Sequence, residues 1–229
     1  MPLKNDKLWC LKLKVSKGML LFIDTETTGL PLVRGINALD KKGLWPDIVS
    51  VAWCITSDTG EVCKKVYSLV RPDWKIPAES IKIHGITVEY AMEHGRPLAD
   101  VLAELRADLA TVDTVVAHNM EFDKNVIFNA YKWRLGQEPA WLSVAAGGAA
   151  GVAAGGAASK EICTMAKSQA ELKIPNPYPK YGPYKSPRLS ELYMDTFGLE
   201  PAGQHNSQSD VQALCDIYWR RWGPYGTRP

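Results

Sequence analysis

The apolar residues fall into short blocks whose spacing switches between that of strands and that of helices. Leu20, Leu21, Phe22 and Ile23 form an unbroken apolar run, the pattern of a strand covered on both faces. "DIVSVAWCIT" (47–56) and "EVCKKVYSLV" (61–70) predict two more strands, joined by a tight turn at Asp58, Thr59 and Gly60. The three together predict an antiparallel meander. "LADVLAELRADLA" places Leu98, Val101, Leu102, Leu105 and Leu109 on one stripe of a helix. "DTVVAHN" predicts a short buried strand, and "EFDKNVIFNAYKWRLG" a helix that stops at Gly136. Further on, "EICTMAK" predicts a strand, and "LSELYMDTFG" and "SDVQALCDIYWRRWG" the last two helices. Antiparallel strands first and strand–helix alternation afterwards predict an α/β fold, a mixed central sheet of about five strands with helices on both faces.

That pattern occupies residues 19–223 and contains neither an internal repeat nor a second core. Residues 1–18 are basic, with five lysines against Asp6, and predict an exposed arm or an extra edge strand around Leu11 to Val15. Ala145 to Ala158, "AAGGAAGVAAGGAA", has no stable hydrophobic pattern and predicts a flexible insertion. Residues 224–229 form a short tail.

Composition narrows the class. With 46% hydrophobic residues, 23% charged residues and a net charge of +2, the chain is an ordinary globular one and announces no polyanion partner. Any nucleic-acid argument must therefore come from local features. No apolar run reaches the length of a membrane span. The five cysteines contain no C-x-x-C pair, which suggests scattered thiols of an intracellular chain (cytoplasm, nucleus or an organelle) rather than a disulfide or zinc framework.

The candidate chemistry begins at "FIDTETTG" (22–29). Residues two apart in a strand share a face, so Asp24 and Glu26 point the same way and Thr25 opposes them. Two such carboxylates repel unless one keeps its proton or a cation neutralises both. Alone, D-x-E equally describes a polar strand end before the turn at Gly29, Leu30 and Pro31. Asp123, in the first turn of the helix after "VVAHN", is equally placed to favour the helix dipole. Ser207 and Asp210 have the spacing of a capping box, and His205 lies on the loop before it. Together they make an ordered set: D-x-E at a strand end, H-N-x-x-x-D across a strand-to-helix junction, and H-x-x-x-x-D at the last helix.

In that order these motifs resemble the DEDD exonuclease superfamily, with its RNase H-like fold, and within it the DEDDh branch. That branch includes the proofreading epsilon subunit of bacterial replicative polymerases and stand-alone 3′-5′ exonucleases. "IHGIT", "ICTMAK" and "KSPRLSELYMDTFG" are similar to connecting segments of the same proteins, so the resemblance runs from about Met19 to Trp222. It implies that Asp24, Glu26, Asp123 and Asp210 hold two divalent ions, Mg²⁺ with Mn²⁺ as a substitute, and that His205 serves as general base. It also places Thr25, Thr27, His84, Asn119 and Phe122 near the terminal nucleotide. For Phe122 a core position, and for His84 a packing role, compete with that placement. The implied substrate is the 3′ end of DNA or RNA, most readily single-stranded, and the implied partner a DNA polymerase, with no membrane.

The loop "NPYPKYGPYKSPR" (176–188) interleaves Tyr178, Tyr181 and Tyr184 with Lys180, Lys185 and Arg188, as a single-strand-binding surface does. Its four prolines suit a stiff surface loop equally well. Arg220 and Arg221 suit the C-terminal end of the last helix. Two rival functions stand beside a DNA exonuclease. One is an exoribonuclease on the same fold; the other is a non-catalytic binding or polymerase-associated module. No P-loop, G-x-G-x-x-G or G-x-S-x-G motif occurs.

Overall fold

The computed structural model describes residues 18–33, 35–139, 141, 160–203, 205–224 and 226. The basic arm and the Gly/Ala stretch expected at 145–158 lie outside the described residues. Five strands form one sheet: β1 (Leu20–Thr27), β2 (Ile48–Thr56), β3 (Val62–Leu69), β4 (Thr114–Ala117) and β5 (Lys160–Cys163), in the order β3-β2-β1-β4-β5. β1, β2 and β3 are the expected antiparallel meander, while β4 lies parallel to β1 and β5 parallel to β4. The result is the mixed sheet of an RNase H-like exonuclease fold.

Strand alternation divides the core into two layers. Leu21 and Ile23 of β1, with Val51, Trp53 and Ile55 of β2, pack against helices α3 (Leu98–Leu109) and α4 (Met120–Asn129). The predicted stripe Leu98, Val101, Leu102, Leu105 and Leu109 is the buried face of α3. The other parity, Leu20 and Phe22 with Ala52 and Cys54, packs against α7 (Ser207–Trp222) through Val211, Leu214 and Cys215. Two-sided burial is why β1 begins as a continuous apolar run. The same parity sends Asp24 and Glu26 to the α7 side and Thr25 to the α4 side.

Several local expectations are corrected. Two short helices, α1 (Ala78–His84) and α2 (Val88–His94), follow β3 where no element was predicted. Their turn is "HGIT": Gly85 takes a left-handed φ of 75° and closes α1, and the Thr87 hydroxyl accepts from Tyr90 N–H to open α2. "EICTMAK" is strand only as far as Cys163. From Thr164 it is helix α5 (Thr164–Leu172), because β4, its ladder partner, ends opposite Cys163 at Ala117. The helix expected to run to Gly136 is α-helical to Asn129 and closes with a wider π-turn, Ala130–Arg134. The last helix is capped by Asn206, whose side chain accepts from Gln208 and Ser209 N–H, not by Ser207.

Arg220 and Arg221 lie in the last turn of α7, as expected, but Arg221 does more than face the helix end. It turns inward, 8% exposed, and donates to Asp195 and Thr196 of α6 (Leu189–Phe197) and to Glu171 of α5, stapling three helices together. Cys54, Cys163 and Cys215 are free thiols. Among the described residues no helix is long and apolar enough to cross a membrane.

Candidate active site

Pairing between β1 and β4 ends at Phe22 opposite Val116, yet β1 runs on to Thr27. The chain leaves β4 at Ala117 and turns through His118 and Asn119 into α4. A crevice therefore opens beside the C-terminal half of β1, where open α/β sheets gather ligands. Four acidic side chains from three elements collect there.

Asp24 and Glu26 project from β1 toward α7, and Asp210, in the first turn of α7, faces them. One carboxylate oxygen from each of these three lies within 4.8 Å of the others. α7 is held in place at its start by a bond across the core: Ser207 Oγ lies 3.0 Å from Ser50 Oγ, and both are fully buried. Ser50 is the ladder partner of Glu26, so this bond joins the first turn of α7 to the strand beside Glu26.

The fourth acid approaches from the opposite face. Asp123 is 3% exposed, and its Oδ1 accepts from Thr25 N–H at 3.0 Å and from the Thr25 hydroxyl at 2.8 Å. Thr25 N–H is free to do this because β4 has already ended. Asp123 thus sits outside the tight trio, close enough to Asp24 and Glu26 for its charge to act on both.

Crowding and burial hold protons on these groups. Burial, then the charges of Asp123, Asp210 and Glu26, push Asp24 well above the usual carboxylate range. Glu26 is pushed up to about 7 by burial and by the charges of Asp210 and Asp123. Burial raises Asp123 to about 7 against the pull of the Thr25 bonds. It raises Asp210 to about 6 against His205 and the main-chain N–H groups of His205 and Asn206. An all-oxygen donor set that is costly to ionise by itself is what a hard divalent cation stabilises. The residues fit such an ion.

The four acids line a cleft of about 330 Å³ together with His118, Asn119, Phe122, Arg188 and His205. His205 is exposed and takes a left-handed φ of 61°, which turns the chain just before the Asn206 cap. Asn119 is exposed at the cleft wall, and Phe122 is half-buried, its ring 6.0 Å from that of Trp45. Phe122 serves the core and the cleft together.

Of the three other expected nucleotide neighbours, Thr25 also lines the cleft, while Thr27 and His84 are buried. The Thr25 hydroxyl is directed to Asp123. Thr27 is 8% exposed, and its hydroxyl donates to the Gly29 carbonyl at 2.7 Å. His84 is packed inside, its Nδ1 accepting from Ile86 N–H at 3.0 Å and its Nε2 buried without a hydrogen-bond partner. Burial lowers its pKa, so the ring is held neutral beside the Thr27 main chain.

The RNase_T exonuclease family model matches residues 21–143, more than half of the 229. The chain belongs to this exonuclease family. No curated protein matches it. Among solved structures, E. coli exonuclease I in complex with a dT13 oligonucleotide is similar, with a TM-score of 0.65 at 18% identity over 91% of this chain and 42% of that one. The zinc-bound form of the E. coli exonuclease I complex with single-stranded DNA gives 0.64 at 19% identity over 90% and 41%. The chain spans less than half the length of these proteins, and at such identities the likeness concerns the fold. The fold and the family agree on a DEDD-type exonuclease domain, a nuclease acting on nucleic acid.

One residue of this exonuclease site had no role assigned from the sequence. His118 Nδ1 lies 3.0 Å from Thr164 Oγ1, and Nε2 lies 2.9 Å from the Pro187 carbonyl. Burial lowers its pKa to about 4, so it is neutral and braces the end of β4 against α5 and the segment that carries Arg188. Its place immediately before the helix-opening Asn119 was the available signal.

Proposed function

We propose that this domain removes nucleotides from the 3′ end of DNA by hydrolysing the terminal phosphodiester, releasing nucleoside monophosphates. The observation that carries the reading is the convergence of Asp24, Glu26 and Asp210 oxygens within 4.8 Å in a family of exonucleases. Asp24, Glu26, Asp123 and Asp210 would hold two Mg²⁺ ions, for which Mn²⁺ can substitute. When bound, the ions supply Lewis-acid stabilisation of the charge that builds up on the phosphoryl group.

The chain's own residues do the rest. Thr25 fixes the direction of Asp123, and the Asn206 cap and Ser207 fix that of Asp210. His205, exposed on the cleft lip, takes the proton of the attacking water, a task suited to an imidazole near neutral pH. Asn119 and the exposed edge of Phe122 offer a polar and an apolar contact for the terminal nucleotide. The similar exonuclease I structures hold single-stranded DNA, which favours a single DNA strand here over RNA or a purely structural role.

The test is a time course on strands labelled at one end, single-stranded and duplex, in DNA and RNA versions, with Mg²⁺ and with chelator. Stepwise shortening from the 3′ end of DNA that stops on chelation is expected. Release from the 5′ end, activity that survives chelation, or no hydrolysis in any arm would overturn the proposal.

A further inference from the structure

The segment between α5 and α6 does more than connect them. Residues 173–188 fold back as a narrow hairpin: Lys185 N–H donates to Ile174 O at 3.0 Å, Asn176 N–H donates to Pro183 O at 2.9 Å, and Pro175 pairs with Tyr184 in an antiparallel bridge. Its tip is a single 3₁₀ turn, Pro179–Tyr181. Pro177, Pro179, Pro183 and Pro187 restrict the backbone further.

The base of this finger is fastened to the site. His118 holds Pro187, as described above. Glu191 accepts from Arg188 N–H at 2.8 Å and from Lys185 Nζ at 2.5 Å, while Gln169 of α5 donates to the Tyr184 carbonyl at 2.9 Å. Arg188, the last residue of the hairpin, is exposed on the cleft wall. The finger therefore starts at the rim of the cleft.

Its surface is unusual for a monomer. Tyr178 is 66% exposed and Tyr181 74%, with Lys180 Nζ 4.8 Å from the Tyr181 ring centroid. Tyrosines that serve a core bury their rings. Here they stand on a hydrogen-bonded scaffold that does not need them. From Lys173 to Arg188 the chain has four cations and no acid, beside a cleft built of acids. Three of those four cations are lysines, which protein-docking patches are depleted in. Separated aromatic faces with cations among them suit unpaired bases and phosphates.

We propose that this finger grips the single strand on the 5′ side of the nucleotide lodged in the cleft, with Tyr178 and Tyr181 stacking on bases and Lys180 and Arg188 meeting phosphates. The placement rests on the exonuclease reading, since it takes the strand to lead out of the cleft past Arg188.

The test compares the native chain with a Tyr178→Ala/Tyr181→Ala double variant on a dinucleotide and on a single strand long enough to reach the fingertip. The expected result is a KM on the long strand raised roughly tenfold or more, with kcat and dinucleotide kinetics unchanged. A Tyr178→Trp/Tyr181→Trp variant should keep native KM on both. Equal KM values for the native and alanine chains on the long strand would overturn the proposal. Should the native chain hydrolyse neither substrate, the exonuclease reading fails on its own. Equilibrium binding of the long strand, measured by fluorescence anisotropy, then decides the finger: weakening of about tenfold in the alanine variant supports it and equal binding refutes it.

Discussion

Thr25 donates both its main-chain N–H and its hydroxyl to the same oxygen of Asp123, 98 residues away. The pair joins the α4 face of the sheet to the acids on the α7 face, and it occupies only one of the two Asp123 oxygens. Thr25→Val preserves the β-branched strand shape and the N–H bond but removes the hydroxyl. Groups that orient a metal-ligating side chain typically contribute 10–100-fold to metal affinity or activity. We expect the Mg²⁺ concentration for half-maximal turnover to rise about tenfold in this variant. Titrating activity against Mg²⁺ measures it, and an unchanged midpoint would show that Asp123 needs no such support.

His205 combines exposure with a left-handed backbone, so replacement must not disturb the turn that aims Asp210. Asn tolerates that conformation better than Ala does. For His205→Asn we expect kcat to fall by about 10²–10⁴, with strand affinity retained in binding measurements. Native turnover in the variant would remove His205 from the mechanism.

The periodicity of β1 was enough to place Asp24 and Glu26 on one side and Thr25 on the other, because a strand has only two faces. The order of the acid motifs was legible too, each lying at a strand end or in the first turn of a helix. Their mutual arrangement was not. Thr25 meets Asp123 only because β4 stops short of the end of β1, and strand length in the sheet is settled by tertiary pairing rather than by either segment alone. The boundary at Cys163 was hidden in the same way, since a short apolar run does not distinguish strand from helix. α1 and α2 were missed because each has only seven residues, too few for a period to show. The place of Arg221 in the last turn of α7 was legible, but its partners Glu171 and Asp195 were not, because they lie on elements whose packing the sequence does not display.

The Arg221 staple should matter for stability. Arg221→Leu leaves Glu171 and Asp195 without their cation, but their side chains are 24% and 47% exposed, so water screens much of the loss. The expected cost is about 1–2 kcal/mol, read from the urea midpoint at unchanged slope. Arg221→Lys should recover only part of it, since one ammonium cannot reproduce the guanidinium fork. A midpoint equal to that of the native chain in Arg221→Leu would mean that α5, α6 and α7 are held together by their apolar contacts alone.

The raised carboxyls make a prediction about pH with a definite sign. Glu26 and Asp123 keep their protons in the folded chain up to about 7 and Asp210 up to about 6, against reference values of 4.5 for Glu26 and 3.8 for the two aspartates. Between the reference and folded values the folded state binds more protons than the unfolded one, so its stability declines with rising pH. The decline is about 1.4 kcal/mol per pH unit for each proton retained. The contribution is present in full below the reference values and lost as pH passes the folded ones. Divalent ions bind the deprotonated acids, and binding to the native state alone stabilises it by mass action. With chelator present, Tm should therefore be higher near pH 5 than near pH 8, and Mg²⁺ should raise it more at the higher pH. An Asp24→Asn/Asp210→Asn variant should flatten both dependences, because it removes two raised carboxyls and relieves the repulsion on Glu26. Calorimetry across pH with and without Mg²⁺ is the measurement. A metal-free Tm that climbs from pH 5 to pH 8, or an Mg²⁺ shift of equal size at both, would mean that these acids are not competing for protons in the folded chain.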